Sequence, residues 1–166
     1  MTLVSWRFMY GHWTRWLALG FGAGLSPRAP GTVGTLVGFP IFWLMGFVPL
    51  EMRWCLWVAL VILGVWVCDR TARSLGQEDP GPIVWDEVMA FVLVLMWVPP
   101  TAGNALAGFV LFRVFDVMKP FPVSWADRQV KGGVGIMLDD LLAACYALAC
   151  LWLCKGIWHV FGQGTL

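Results

Sequence analysis

The sequence predicts an all-α fold: a compact, membrane-embedded helical bundle with about five apolar helices and its polar loops on one face. Three observations carry this. The chain is 60% hydrophobic and 13% charged, against about 25% charged in an ordinary soluble domain. Its apolar stretches exceed a typical strand and lack sustained alternation. Its charged residues cluster at the ends of those stretches or between them. With 166 residues, a single domain over 1–166 is expected. A mean hydropathy of +0.76 and 12 Trp place it in the membrane class. A net charge of +1 leaves no basic surface for nucleic acid.

Residues 1–15 read as an interfacial segment. Trp6, Phe8, Tyr10 and Trp13 alternate with Arg7, His12 and Arg15, the aromatic and basic mixture of a membrane boundary; an N-terminal core helix is the plainer alternative. A cleavable signal peptide is not expected, because 1–20 lacks a clean apolar core followed by a small-residue site. Apolar stretches then run over 36–50, 54–68, 88–98, 105–115 and 141–154, followed by an apolar tail over 155–166. Each is short. Fifteen helical residues reach about 22 Å, whereas a span crosses roughly 30 Å of hydrocarbon. Some segments are therefore expected to embed without fully crossing. The five cysteines lie inside apolar runs, form no Cys-x-x-Cys pair, and read as packing residues.

Charge placement orients the chain. If all five stretches cross and the N-terminus is inside, the inner segments 1–35, 69–87 and 113–140 hold nine of the eleven basic residues. Only Arg53 and Lys155 fall outside, as the positive-inside rule requires. The same arrangement puts every acid but Glu51 on the cytoplasmic side. The polar motifs would then meet at one membrane face.

Four motifs could carry chemistry. Gly20-Phe21-Gly22-Ala23-Gly24-Leu25-Ser26-Pro27-Arg28-Ala29-Pro30-Gly31-Thr32-Val33-Gly34-Thr35 reads equally as an anion cradle or a plain Gly/Pro connection. Thr32 or Thr35 would cap a helix starting near Leu36. Asp79 precedes a Pro-Gly turn, and Asp86 and Glu87 open the next helix, as dipole-favoured caps or as metal ligands. Arg113, Asp116 and Lys119 follow at i, i+3 and i+6, with Pro120 ending the helix; they are an ion-pair ladder, or one metal ligand between two phosphate-binding cations. Asp127-Arg128 and the glycines of Gly132-Gly133-Val134-Gly135 lead to Asp139-Asp140, again caps or ligands. Adjacent carboxylates at two apolar edges are costly to keep charged, and a divalent cation between them is the simplest explanation. His12 and His159 have no Ser/Asp partner pattern, which argues against a histidine triad.

Taken in series, these blocks resemble the phosphatidylglycerophosphatase A family. The matching pieces are Gly22-x-Gly24-Leu25-Ser26-Pro27-x-x-Pro30-Gly31-Thr32-x-Gly34, Ile83-Val84-Trp85-Asp86-Glu87, Phe112-Arg113-x-x-Asp116-x-x-Lys119-Pro120-x-Pro122, and Asp127-Arg128 with Gly132-Gly133-x-Gly135-Ile136-Met137-x-Asp139-Asp140. They run from about residue 16 to 155. The resemblance implies a Mg2+-dependent phosphatase that converts phosphatidylglycerophosphate to phosphatidylglycerol and phosphate, at the cytoplasmic face of a bacterial inner membrane.

On that basis Asp86, Glu87, Asp116, Asp139 and Asp140 are the expected catalytic residues. Asp79, Asp86, Glu87, Asp139 and Asp140 are the expected Mg2+ ligands. Arg113, Lys119 and Arg128, with Ser26 and Thr32, are expected at the phosphate. The nucleophile is either a water activated at the metal or an aspartate that forms an aspartyl-phosphate. The expected partners are the phospholipid substrate and membrane lipids; a homo-oligomer is compatible with the sequence. The competing class is a transporter or ion-binding protein, which would place acids at mid-membrane and in repeated halves. No internal repeat is evident. A catalytically inactive scaffold is the third reading.

Overall fold

The computed structural model describes residues 4–162, and the side chains of residues 4–154. Residues 1–3 of the N-terminal segment and the side chains of the tail, His159 included, lie outside that description. The described residues are helical, with no strand. In chain order the helices are α1 (Trp6–Tyr10), α2 (Trp13–Ala18), a 3-10 segment (Gly20–Leu25), α3 (Pro30–Met45), α4 (Leu50–Leu75), α5 (Trp85–Trp97), α6 (Ala102–Met118), α7 (Val123–Gln129) and α8 (Gly132–Gly162).

Each of the five apolar stretches falls on one of the longer helices, but the boundaries differ from expectation. Helix α3 begins at Pro30, not near Leu36. Proline suits a first turn because its missing N–H would be unsatisfied there anyway. Ala29, in the left-handed region at φ 47°, occupies the cap position without a side-chain bond. Thr32 and Thr35 are therefore inside the helix rather than capping it. The Thr35 hydroxyl donates back to the Gly31 carbonyl at 2.8 Å. The glycines before Asp139 are likewise the first turn of α8 rather than a loop.

Two helices, Leu50–Leu75 and the 132–154 part of α8, are long and apolar enough to cross a membrane. They suggest a membrane association. Helix α4, with 26 residues, is about 39 Å long. Helix α5, with 13 residues, reaches only about 20 Å, short of a span.

Helix α5 is the core of the bundle. Val88, Met89, Ala90, Phe91 and Val92 are fully buried in succession, so its whole circumference is covered. Small residues on the surrounding helices admit it. A Cβ at Gly38 of α3 would stand 2.8 Å from the Phe91 ring, and one at Gly64 of α4 would stand 2.7 Å from the Trp85 ring. Two indoles then tie α4 to α5. Trp57 donates to the Met89 carbonyl at 3.0 Å, and Trp85 to the Leu60 carbonyl at 3.3 Å.

The N-terminal residues divide between core and surface. Met9, Ala18 and Leu19 are fully buried, while Trp6, Tyr10, Trp13 and Trp16 are exposed.

Candidate active site at one end of the bundle

Five elements bring polar residues to the same end of the bundle: the start of α3, the end of α4, the start of α5, the end of α6 and the start of α8. The segment before α5 is fixed first. Residues 80–83 form a turn closed by Ile83 N–H to the Pro80 carbonyl at 2.8 Å, and Val84 N–H donates to the Ala18 carbonyl at 2.9 Å. Trp85 then plunges into the core. With that anchor set, Asp86 and Glu87 in the first turn both lie within the bundle rather than in solvent.

Carboxylate oxygens of Asp86, Glu87 and Asp140 lie within 4.8 Å of one another. Asp86 is 6% exposed and Asp140 3%. Asp86 Oδ1 and Glu87 Oε2 are buried without a hydrogen-bond partner. Arg113 of α6 reaches this group. Its Nη1 lies 3.5 Å from Glu87 Oε1 and 2.5 Å from Asp116 Oδ2. The second contact is an ion pair off hydrogen-bonding alignment, because both Nη1 and Nε of Arg113 lack a bonded partner.

Arg113 thus stands against two carboxylates, Glu87 and Asp116, in a cluster that also holds Asp86 and Asp140. Burial, and secondarily the charge of Glu87, pushes Asp86 well above the ordinary carboxylate range. Burial likewise raises Glu87 to about 7, against the lowering effect of Asp86 hydrogen bonding and of Arg113. An arrangement of orphaned hard oxygens with excess negative charge is what a divalent metal requires.

Beside this group lies a second one. Lys119 caps the end of α6 in the left-handed conformation, φ 43°. Its amine meets Asp127 of α7 and, at 2.6 Å, Asp139 Oδ2 of α8. Burial works against the ammonium, but its hydrogen bonds to both carboxylates hold its pKa above the usual lysine range. Glu78, Asp79, Asp127, Lys131 and Asp139 line a small cleft of about 60 Å3 beside this pair. Adjacent positions on α8 therefore serve the two groups, Asp139 the lysine and Asp140 the carboxylate trio.

Several expectations take a more definite shape. Three of the five expected metal ligands form the trio; Asp139 pairs with Lys119, and Asp79 is exposed at the cleft. The three-step ladder does not form: Arg113 pairs with Asp116, but Lys119 turns to α7 and α8. Proline 120 explains this, since it ends the helix before a third step can be added. Capping does not account for Asp139 and Asp140, which stand eight and nine residues into α8. Arg128 is exposed and makes no ion pair among the described residues. The Ser26 hydroxyl donates to the Arg28 carbonyl at 2.8 Å, and Thr32 is half-buried in the first turn of α3.

Two positioning contacts were invisible in sequence. Asp69 accepts from Gly133 N–H at 3.3 Å and pairs with Arg73, docking the start of α8 on α4. Gly31 closes the top of the trio: a Cβ there would stand 2.1 Å from Glu87 Oε1 and 3.1 Å from Arg113. The sequence signal was the glycine between Pro30 and Thr32, but its spacing to Glu87 carries no hint of contact.

The phosphatidylglycerophosphatase A family model matches residues 16–155. The Escherichia coli (strain K12) phosphatidylglycerophosphatase A is 41% identical over 86% of this chain and 83% of its own. The Haemophilus influenzae phosphatidylglycerophosphatase A is 41% identical over 80% of this chain and 82% of its own. A Bacteroides thetaiotaomicron relative, 39% identical over 79% of this chain and 86% of its own, carries the provisional name of a phosphatidylinositol-3-phosphatase. No solved structure matches. With its four motifs gathered at one end of the bundle and a family match over most of its length, the chain belongs to the phosphatidylglycerophosphatase A family.

Proposed function

We propose that this chain is a Mg2+-dependent lipid phosphatase that removes the terminal phosphate of phosphatidylglycerophosphate. The observation that carries the reading is the buried trio of Asp86, Glu87 and Asp140 with unpartnered oxygens, in a chain whose relatives are named for that reaction. The trio would hold Mg2+, which prefers hard oxygen donors. Bound there, the ion would neutralise phosphate charge and favour ionisation of a nucleophile.

The chain's own residues have the remaining roles. Arg113, beside Glu87, would take a phosphate oxygen, as would Lys119 if it released Asp139. A water oxygen forms the new P–O bond, the ester P–O bond breaks, and the glycerol oxygen leaves as a hydroxyl. A carboxylate of the cluster takes up the water's proton and returns it to the leaving glycerol oxygen. Attack by a carboxylate instead of water is the alternative course. The positive-inside count supports a cytoplasmic location for this end of the bundle in an inner membrane.

The test is phosphate release from phosphatidylglycerophosphate, phosphatidic acid and phosphatidylinositol 3-phosphate, with Mg2+ and with chelator. Release from the first substrate, abolished by chelator and by Asp86→Asn or Asp140→Asn, is expected. Full activity in chelator overturns the metal assignment, and preference for another lipid overturns the substrate.

A further inference from the structure

The corner between α6 and α7 exposes an apolar surface beside the candidate site. Val117 and Met118 are each 72% exposed, Phe121 75% and Trp125 53%. They flank the ion pair of Lys119 and Asp127, and Asp127 lines the cleft. Helix α7 is two-faced. Val123 and Ala126 are fully buried, while Trp125 and Arg128 point outward. An outward aromatic with an outward guanidinium is the composition of a membrane boundary.

The corner is held in place. The Tyr146 hydroxyl of α8 donates to the Phe121 carbonyl at 2.7 Å, and the Tyr146 ring packs on Phe115, 5.2 Å between centroids. Exposure of these side chains is thus a property of the packed fold. The surface also continues down α6. Leu106, Val110, Val114 and Val117 are all exposed, and their spacing of four, four and three puts them on one helix face.

We propose that this corner is a ledge seated among the headgroups and upper acyl chains of an anionic lipid bilayer, with the α6 stripe below it in hydrocarbon. Arg128, unpaired among the described residues, meets lipid phosphates. The ledge sets the depth of the cleft lined by Asp127 and Asp139, so that a lipid headgroup reaches it without leaving the membrane. A second copy of the chain fits this face less well. A two-fold contact sets the patch against itself, and the unpaired charge on each side would again be Arg128.

The proposal rests on the lipid-phosphatase reading for the role of the ledge, but not for its location. The full chain is placed in vesicles of anionic phospholipid with bromine on either the upper or the lower acyl-chain carbons. The fluorescence difference between wild type and Trp125→Phe isolates Trp125. Quenching by upper-chain bromine, stronger than by lower-chain bromine, is expected. An unquenched Trp125 overturns the ledge whether or not the chain is a phosphatase.

In a second arm, Phe121→Ser with Trp125→Ser is assayed on phosphatidylglycerophosphate in vesicles and in dispersed detergent. A rise of roughly tenfold in apparent KM on vesicles only, of the size expected for losing a buried aromatic contact, is expected. Equal change in both assays overturns the depth-setting role. A fall in oligomeric mass of this variant assigns the face to a second copy and overturns the proposal.

Discussion

Gly31 and Glu87 are in backbone-to-side-chain contact, with no space between them for even a methyl group. A Cβ at Gly31 would stand 2.1 Å from Glu87 Oε1, well inside van der Waals contact. The first turn of α3 therefore forms a wall of the carboxylate trio. Gly31→Ala is expected to displace Glu87 and Arg113 together and lower phosphatase turnover by about 100-fold, the loss typical of misplaced charged groups in an active site. Steady-state kinetics check this. Wild-type turnover in Gly31→Ala would show that the contact is not needed.

The trio should be under electrostatic strain when no metal neutralises it. Asp86→Asn or Asp140→Asn removes one of the crowded buried carboxylates. Each variant should raise the melting temperature measured in chelator by about 2–4 °C, the shift for about 1 kcal/mol in a chain of this size. Each should also lose Mn2+ binding, read by electron paramagnetic resonance. A lower melting temperature together with intact Mn2+ binding would remove these residues from the metal site.

Stability in chelator should depend on pH with a defined sign. Glu87 ionises near 7 in the folded chain against 4.5 ordinarily. The folded state then binds more protons than the unfolded state between those values, so stability falls as pH rises from about 4.5 to about 7. Raised Asp86 acts in the same direction. Thermal melts across this range in chelator should decline with pH, and Glu87→Gln should flatten the decline. Excess Mg2+ should reverse it, because metal binding requires the deprotonated carboxylates. A melting temperature that climbs with pH in chelator contradicts the burial-driven shift.

Lys119 links three elements through Asp127 and Asp139. Lys119→Met leaves Asp139 buried without its partner, at a cost of about 1–3 kcal/mol. Asp139→Asn in the same chain should recover part of it. A double-mutant cycle by melting in detergent should give a coupling of about 1 kcal/mol. Additive losses would show that the pair contributes nothing beyond its separate contacts.

Much of the site was legible because its residues are chemically conspicuous. Asp86, Glu87, Asp139 and Asp140 stand out as charge at apolar edges, and Pro120 marks the end of α6. Assignments that depended on element boundaries were less secure. The glycines at 132–135 look like a loop in sequence, yet they form the first turn of α8, where a Cβ at Gly133 or Gly135 would collide with the carbonyl of Val65 or Val130. The start of α3 was misplaced because Thr32 and Thr35 resemble caps, whereas Pro30 already provides a helical φ.

Composition and charge order alone determined that the chain is helical and apolar, and that its acids and bases collect between the apolar stretches. Hydrophobicity and sequence position carry that information locally. Only the tertiary structure decided which carboxylates meet. Asp139 and Asp140 are neighbours in sequence and share the same flanking residues. Their side chains leave the helix about 100° apart, so one reaches Lys119 and the other reaches Asp86 and Glu87.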